Sequence, residues 1–177
     1  MTGEARAREK SPQILPSRTV PDAASSPVVP SLAPPLELNA GQLRWEQRVA
    51  AVTGARDVDD AAKARQLLDM LPTLPEEALE TAAREAVERL PDKAYGAARE
   101  RMINPQTHGM VLSVLFGDLL ERPDDITLPV LLTITRTPAH PLAAQARDNL
   151  ELLLGTNFGA DWVKWDAEIR RSLATHR

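Results

Sequence analysis

Residues 75–90, PEEALETAAREAVERL, share one pattern with PQTHGMVLSVLFGDLL (105–120) and PAHPLAAQARDNLELL (138–153). Small or apolar residues recur at the fourth, eighth and twelfth positions after each opening proline, and a leucine follows at the fifteenth (Leu90, Leu120, Leu153). This spacing places the recurring residues on one face of an α-helix. The proline is compatible with a helix start, because first-turn amides have no intrahelical partner to lose. We therefore expect three equivalent helices with the leucine row buried.

A second apolar segment precedes each of these helices, at residues 61–71, 94–103 and 126–134. Each unit is thus predicted to be a helix hairpin closed by a short turn that contains proline. One hairpin cannot bury its own apolar face, so neighbouring hairpins must stack. The sequence predicts an all-α fold, a short α-solenoid of about three helix hairpins that recur with a regular period along the chain.

Both ends of residues 41–177 carry the pattern of a capping helix, which a stacked array needs to cover its last apolar face. At the N-terminal end, Gly41 and Gly54 bracket one apolar face, formed by Leu43, Trp45, Val49 and Val52. At the C-terminal end, Gly155 indicates a helix stop and Asp161 an N-cap. The face that follows consists of Trp162, Trp165, Ile169 and Leu173. We favour core packing for the two tryptophans over stacking on bases or a ligand.

Residues 1–40 have a different composition, with seven prolines among serine, alanine and threonine, and with opposite charges that cancel. Such a segment has too little apolar surface to fold alone, and we expect a disordered tail or linker. Docking of residues 31–36 in a partner groove is the alternative. The expected location is the cytoplasm; a membrane-tethered or periplasmic location is the alternative if an anchor lies upstream of this start.

The stretch TLPVLLTITRTPAHPLAAQARDNLELLLG, Thr127–Gly155, resembles a HEAT repeat. It has a Leu-Pro early in the first helix, a short turn, and then Ala144, Ala146 and Arg147 with regularly spaced leucines in the second helix. The chain as a whole is similar to uncharacterised bacterial proteins with HEAT-repeat domains. The resemblance implies a stacked-hairpin fold and a general scaffold role, and it carries over no catalytic residue.

The sequence offers little for catalysis or metal binding. It contains no cysteine and only three histidines. His108 and His140 closely follow two of the repeat prolines, so stacked hairpins would place them near one rim, where Asp118 could join them. A small enzyme or lyase using these three residues is the alternative function. We predict no metal site and no cofactor, because metal sites normally need three or four donors.

Charge argues against nucleic acid as the partner. The formal net charge is -4, and between Asp57 and Asp92 ten acidic residues face four basic ones. Nucleic-acid affinity comes mainly from basic groups that neutralise phosphates. No run of apolar residues approaches the length of a membrane helix, so no membrane span is predicted.

The outward face of the three repeated helices is the predicted binding surface. Glu88, Asp118 and Glu151 stand thirteen residues past the prolines and would form a ladder of carboxylates. The neighbouring candidates on that face are Glu85, Val111, Leu115 and Asp148. We expect a non-enzymatic scaffold for protein binding, whose concave acidic and apolar groove holds a basic or amphipathic segment of a partner protein. A solvated acidic surface without a partner is the simpler alternative.

Overall fold

The computed structural model of the chain describes residues 40–175, with side chains from residue 44 onward, and this part is all α-helical. The predicted tail lies outside the described residues, apart from Ala40. The described helices belong to one compact unit. They are α1 (Ala40–Thr53), α2 (Asp60–Met70), α3 (Glu76–Arg89), α4 (Gly96–Met102), α5 (Gly109–Leu120), α6 (Asp124–Thr135), α7 (Ala143–Leu154) and α8 (Trp162–Thr175). Short 3₁₀ turns, Leu71–Thr73 and Asp92–Ala94, precede α3 and α4.

Local side chains set the helix ends where the sequence predicts them. The carboxylate of Asp59 accepts a hydrogen bond from the amide of Ala62 (2.9 Å), which satisfies one free donor at the start of α2. Asp161 does the same for Lys164 (3.1 Å) at the start of α8. Gly155 ends α7 with a φ of 63°, a left-handed conformation that costs glycine least. The predictions for Gly155 and Asp161 are confirmed.

Burial repeats in a constant register from the first unit to the second. The buried residues of α3 are Ala78, Leu79, Ala82, Ala83 and Ala86, and the buried residues of α5 are Val111, Leu112, Leu115, Phe116 and Leu119. The two sets match member by member, and the step from Ala78 to Val111 is the same for every pair. We call this the repeat step. It also relates the buried residues around α4 to those of α6, with Ala98 and Met102 matched by Leu131 and Thr135. The same spacing of buried residues therefore relates α3 to α5 and α4 to α6.

The prediction that the leucine row is buried is wrong at two of its three positions. Leu90 is buried, whereas Leu120 is 38% exposed and Leu153 is 49% exposed. For Leu120 the reason is the turn before α5: α3 begins one residue after Pro75, but α5 begins four residues after Pro105. Three additional turn residues rotate the buried face of α5 by about 60° relative to an alignment on the prolines.

Most helix contacts join helices that are adjacent or next-but-one in the chain, and α1 and α8 pack on the helices nearest to each end. α3 packs on α2 and on α5, and α7 packs on α6. At the C-terminal end α8 contacts α6 and α7, and it buries Trp165 completely. The indole nitrogen of Trp165 donates to the carbonyl of Gly159 (3.1 Å), and its ring meets Phe158 edge to face. The expected core role of Trp165 is confirmed, and Trp162 is partly buried against the same core.

Candidate functional site

A groove of about 450 Å³ runs between α3 and α5. Its floor is apolar and half-buried, made by Val87, Met110 and Val114. Ser113 and Gly117 add small residues on the α5 side. The rim carries the charged residues Glu80, Arg84, Glu88, Asp118 and Glu121. The groove therefore combines apolar surface with four carboxylates and a single guanidinium.

The repeat register explains why this groove exists. Ser113 and Gly117 occupy the positions in α5 that Glu80 and Arg84 occupy in α3, one repeat step earlier. A side chain on Gly117 would meet no atom within 4 Å, so the space above this part of α5 is open. Long polar side chains on one helix thus stand beside small residues on the next.

The charges of the rim are unequally neutralised. Glu80 forms an ion pair with Arg84 (2.8 Å), one turn along the same helix. Glu88 is 69% exposed at its side chain and lies 4.0 Å from Arg89. Glu121 is exposed at the C-cap of α5. Glu88 and Glu121 are therefore the rim carboxylates most open to an outside cation.

Asp118 has a structural partner. Its carboxylate accepts two hydrogen bonds from the guanidinium of Arg122, at 2.8 and 3.1 Å, and both side chains are largely buried. A two-point contact of this kind fixes both groups. Asp118 lines the groove, but its charge is already compensated.

Arg122 connects this pair to the end of α3. Its guanidinium donates to the carbonyls of Leu90 (2.9 Å) and Val87 (3.2 Å), which lie at the helix C-terminus where cations are favoured. It also donates to Asp92 (2.8 Å). Burial alone would lower the pKa of Arg122, but hydrogen bonds to Asp118 and Asp92 raise it above the ordinary value.

Tyr95 lies beneath this network, with the Arg122 guanidinium 5.1 Å from its ring centre. Its hydroxyl is buried and has no hydrogen bond of normal geometry within the described residues. Burial, and then the neighbouring charge of Asp118, raise the pKa of Tyr95 well above its usual range. The phenol stays neutral and acts as part of the core beside the groove.

The prediction for the apolar part of the binding surface is wrong. Val111 and Leu115, expected as an exposed apolar spot, are 1% and 0% exposed. They correspond to Ala78 and Ala82 of α3, because the turn before α5 rotates that helix. The apolar surface between the carboxylates comes from Val87, Met110 and Val114 instead. The repeat step from Glu88 to Glu121 is the signal in the sequence that would have located the groove.

The structure brings only two of the seven predicted residues into the groove, Glu88 and Asp118. Glu85 is half-buried and forms an ion pair with Arg89 (2.5 Å) on its own helix. Asp148 lines a separate cleft of about 310 Å³ with Arg147 and Trp162. Glu151 is half-buried on α7. Whether any of these carboxylates binds a partner stays a prediction.

The two histidines considered for catalysis each serve the helix framework. His140 is buried; its Nε2 lies 2.8 Å from the carbonyl of Met102, and its Nδ1 accepts from the amide of Leu142 (3.1 Å). A neutral ring with the proton on Nε2 satisfies both contacts. His108 is the N-cap of α5, with Nδ1 accepting from the amide of Met110 (3.3 Å). His108 lines a different cleft from Asp118.

Within residues 40–175, no group of three or more histidine or acidic side chains is placed to hold a metal ion. No helix in the same range is both long and apolar enough to cross a membrane. Compared with known proteins, the chain matches no family model, no curated protein and no solved structure. The likeness to HEAT repeats therefore stays a prediction from the sequence.

Proposed function

We propose that this protein is a non-enzymatic interaction scaffold, a short HEAT-like α-solenoid whose α3–α5 groove binds a basic or amphipathic segment of a partner protein. The groove itself carries the proposal: half-buried apolar residues form its floor, and its rim holds two open carboxylates, Glu88 and Glu121, beside two carboxylates that are already paired. Apolar surface supplies affinity, and the surrounding charge selects the sign of the partner.

The solenoid part of the proposal rests on the recurrence of buried positions. The repeat step that leads from α3 to α5 is followed by a step one residue longer from α6 to α8, where Leu131 and Thr135 are matched by the buried Trp165 and Ile169. Repeated helix pairs of this length are typical of stacked arrays, and their surfaces serve as extended binding sites. The covering helices α1 and α8 fit the terminal caps that such arrays need.

The exposed carboxylates contribute less to the stability of the fold than to the attraction of a cationic partner. Exposed ion pairs contribute about 0.2 to 1 kcal/mol each, so the contact of Glu88 with Arg89 adds little to the stability of the fold. Their negative potential would attract a cationic segment and raise its association rate. An acidic rim beside an apolar floor is compatible with a partner that carries lysine or arginine.

The experiment measures binding of a fluorescent leucine–lysine peptide to a rim variant, Glu80→Gln, Glu88→Gln and Glu121→Gln combined. Three lost contacts of about 0.5 kcal/mol each predict roughly tenfold weaker binding and a shallower salt dependence. The matched control changes the same charge outside the groove, at Glu46, Glu77 and Glu100, each to Gln, which are all exposed. We expect the control to bind nearly as the wild type does. Equal losses in both variants would show general attraction to an acidic protein and contradict the groove.

A further inference from the structure

We infer that the occupant of the α3–α5 groove is itself an α-helix, amphipathic and with lysine or arginine along its polar edges. This inference rests on the proposed function and adds the conformation of the bound segment. It follows from three properties of the groove: the chemistry of its floor, the small residues on α5, and the placement of its carboxylates.

The floor favours a segment whose backbone is already hydrogen-bonded. Val87, Met110 and Val114 offer apolar surface, and the main chains of α3 and α5 satisfy their own amides and carbonyls within the helices. An extended peptide laid on this floor would leave buried N–H and C=O groups without partners. The described residues contain no strand, so they offer no sheet edge for strand addition. A helix meets the requirement because its backbone bonds are internal.

The small residues on the exposed side of α5 suit a closely packed helix. Ser113 and Gly117 lie one turn apart on the exposed side of α5, and nothing lies within 4 Å of the site a Gly117 side chain would occupy. Helix axes approach to about 8 to 10 Å, and small residues at the contact allow the closer distances. Met110 and Val114, also one turn apart, flank these small residues and can pack against apolar side chains of the incoming helix.

The carboxylates border the groove on both sides. Glu88 stands in the last turn of α3 and Glu121 at the end of α5. Glu80, which is paired with Arg84, stands about 12 Å before Glu88 along the axis of α3. A helix lying between α3 and α5 presents basic residues to both sides if they occur at spacings of three, four or seven residues. Charge and apolar surface thus specify the same partner, a basic amphipathic helix.

The decisive experiment compares two fluorescent leucine–lysine peptides of identical composition that differ in the position of one proline. Proline at the first helical position leaves the helix intact, whereas proline at the centre breaks it. We expect the first peptide to bind and to gain helical circular dichroism on binding. We expect the second to bind at least about tenfold more weakly, since it has to lie on the floor without a continuous helix.

Equal affinity for the two peptides would overturn the helix inference while leaving the groove proposal standing, provided the rim variant still weakens both. Failure of both peptides to bind would overturn the two proposals together. A second variant probes the close approach: Gly117→Ala should weaken binding of the helical peptide several-fold, whereas Gly96→Ala, an open helical position outside the groove, should not change it. Wild-type affinity in Gly117→Ala and also in Gly117→Leu would contradict a helix packed on α5.

Discussion

Glu88 and Glu121 are equivalent residues of two neighbouring helices, one repeat step apart, and both line the groove between α3 and α5. Glu88 projects from the last turn of α3, and Glu121 is the C-cap of α5. The same step relates every buried residue of α3 to one of α5. The repeat that builds the core therefore also places two open carboxylates at the rim of the candidate site.

Leu90→Ala should destabilise the protein more than Leu120→Ala. Leu90 is 3% exposed, and truncating a buried leucine costs about 2 to 5 kcal/mol. Leu120 is 38% exposed, so its truncation should cost about 1 kcal/mol or less. Urea unfolding gives both values, and Leu119→Ala, at a fully buried neighbour of Leu120, is the control for a core position in the same helix. A larger loss for Leu120 than for Leu119 would contradict the orientation of α5.

How much of the fold could be predicted from the sequence differs from one helix to another. The helices and their caps at Asp59, Gly155 and Asp161 follow from local signals, because a cap depends only on adjacent residues. The orientation of α5 does not follow from local signals, because it depends on where the helix begins after Pro105. His108, a less common cap, starts that helix three residues later than an alignment on the prolines implies.

The candidate site was predicted only in part for the same reason. Its acidic character and its place on the second helices could be read from charge and spacing, and Glu88 and Asp118 do line the groove. The sequence did not predict that Val111 and Leu115 are buried and that Val87, Met110 and Val114 form the apolar floor instead. A rotation of α5 by about 60° moves residues between core and surface. The pairing of Asp118 with Arg122 follows from their spacing of four residues, but the hydrogen bond from Arg122 to Val87 needs the packing of α5 on α3.

Arg122→Met should destabilise the protein by about 3 kcal/mol, because the change leaves the partly buried Asp118 without its cation. It also leaves the carbonyls of Leu90 and Val87 without their donor. Arg122→Lys should retain more of the free energy of unfolding than Arg122→Met but less than the wild type, because an ammonium cannot reproduce the two-point contact. Chemical denaturation of both variants tests this. A loss below about 1 kcal/mol for Arg122→Met would show that the network is not a significant part of the fold.

Because the Tyr95 phenol is buried, the free energy of unfolding should fall above about pH 10. Burial and Asp118 raise its pKa in the folded protein, so the unfolded chain releases the phenol proton first. The contribution of Tyr95 to stability is then fully present below about pH 10 and decreases by about 1.4 kcal/mol per pH unit above it. Since Tyr95 is the only tyrosine, tyrosinate absorbance reports this group alone. We expect no tyrosinate before unfolding, and a smaller alkaline loss in Tyr95→Phe; ionisation in the folded state near the ordinary tyrosine pKa would contradict the burial.

Gly117→Ala should stabilise the fold by up to about 1 kcal/mol. Gly117 lies inside α5, alanine is the better helix former, and its methyl group would meet no atom within 4 Å. Gly159→Ala is the matched opposite, because a φ of 56° disfavours a side chain by about 1 to 2 kcal/mol. Thermal unfolding should separate the two by sign. Destabilisation by Gly117→Ala would mean that the groove is narrower than described.

The most direct test of the groove is amide chemical-shift mapping by NMR during titration with the helical leucine–lysine peptide. We expect the largest changes to cluster at Val87, Ser113 and Gly117 and to weaken in the rim variant. Residues around Trp162 and Arg147, which line a separate cleft, should change little. Changes centred on that cleft, or spread evenly over the acidic surface, would contradict the claim that the α3–α5 groove is the binding site.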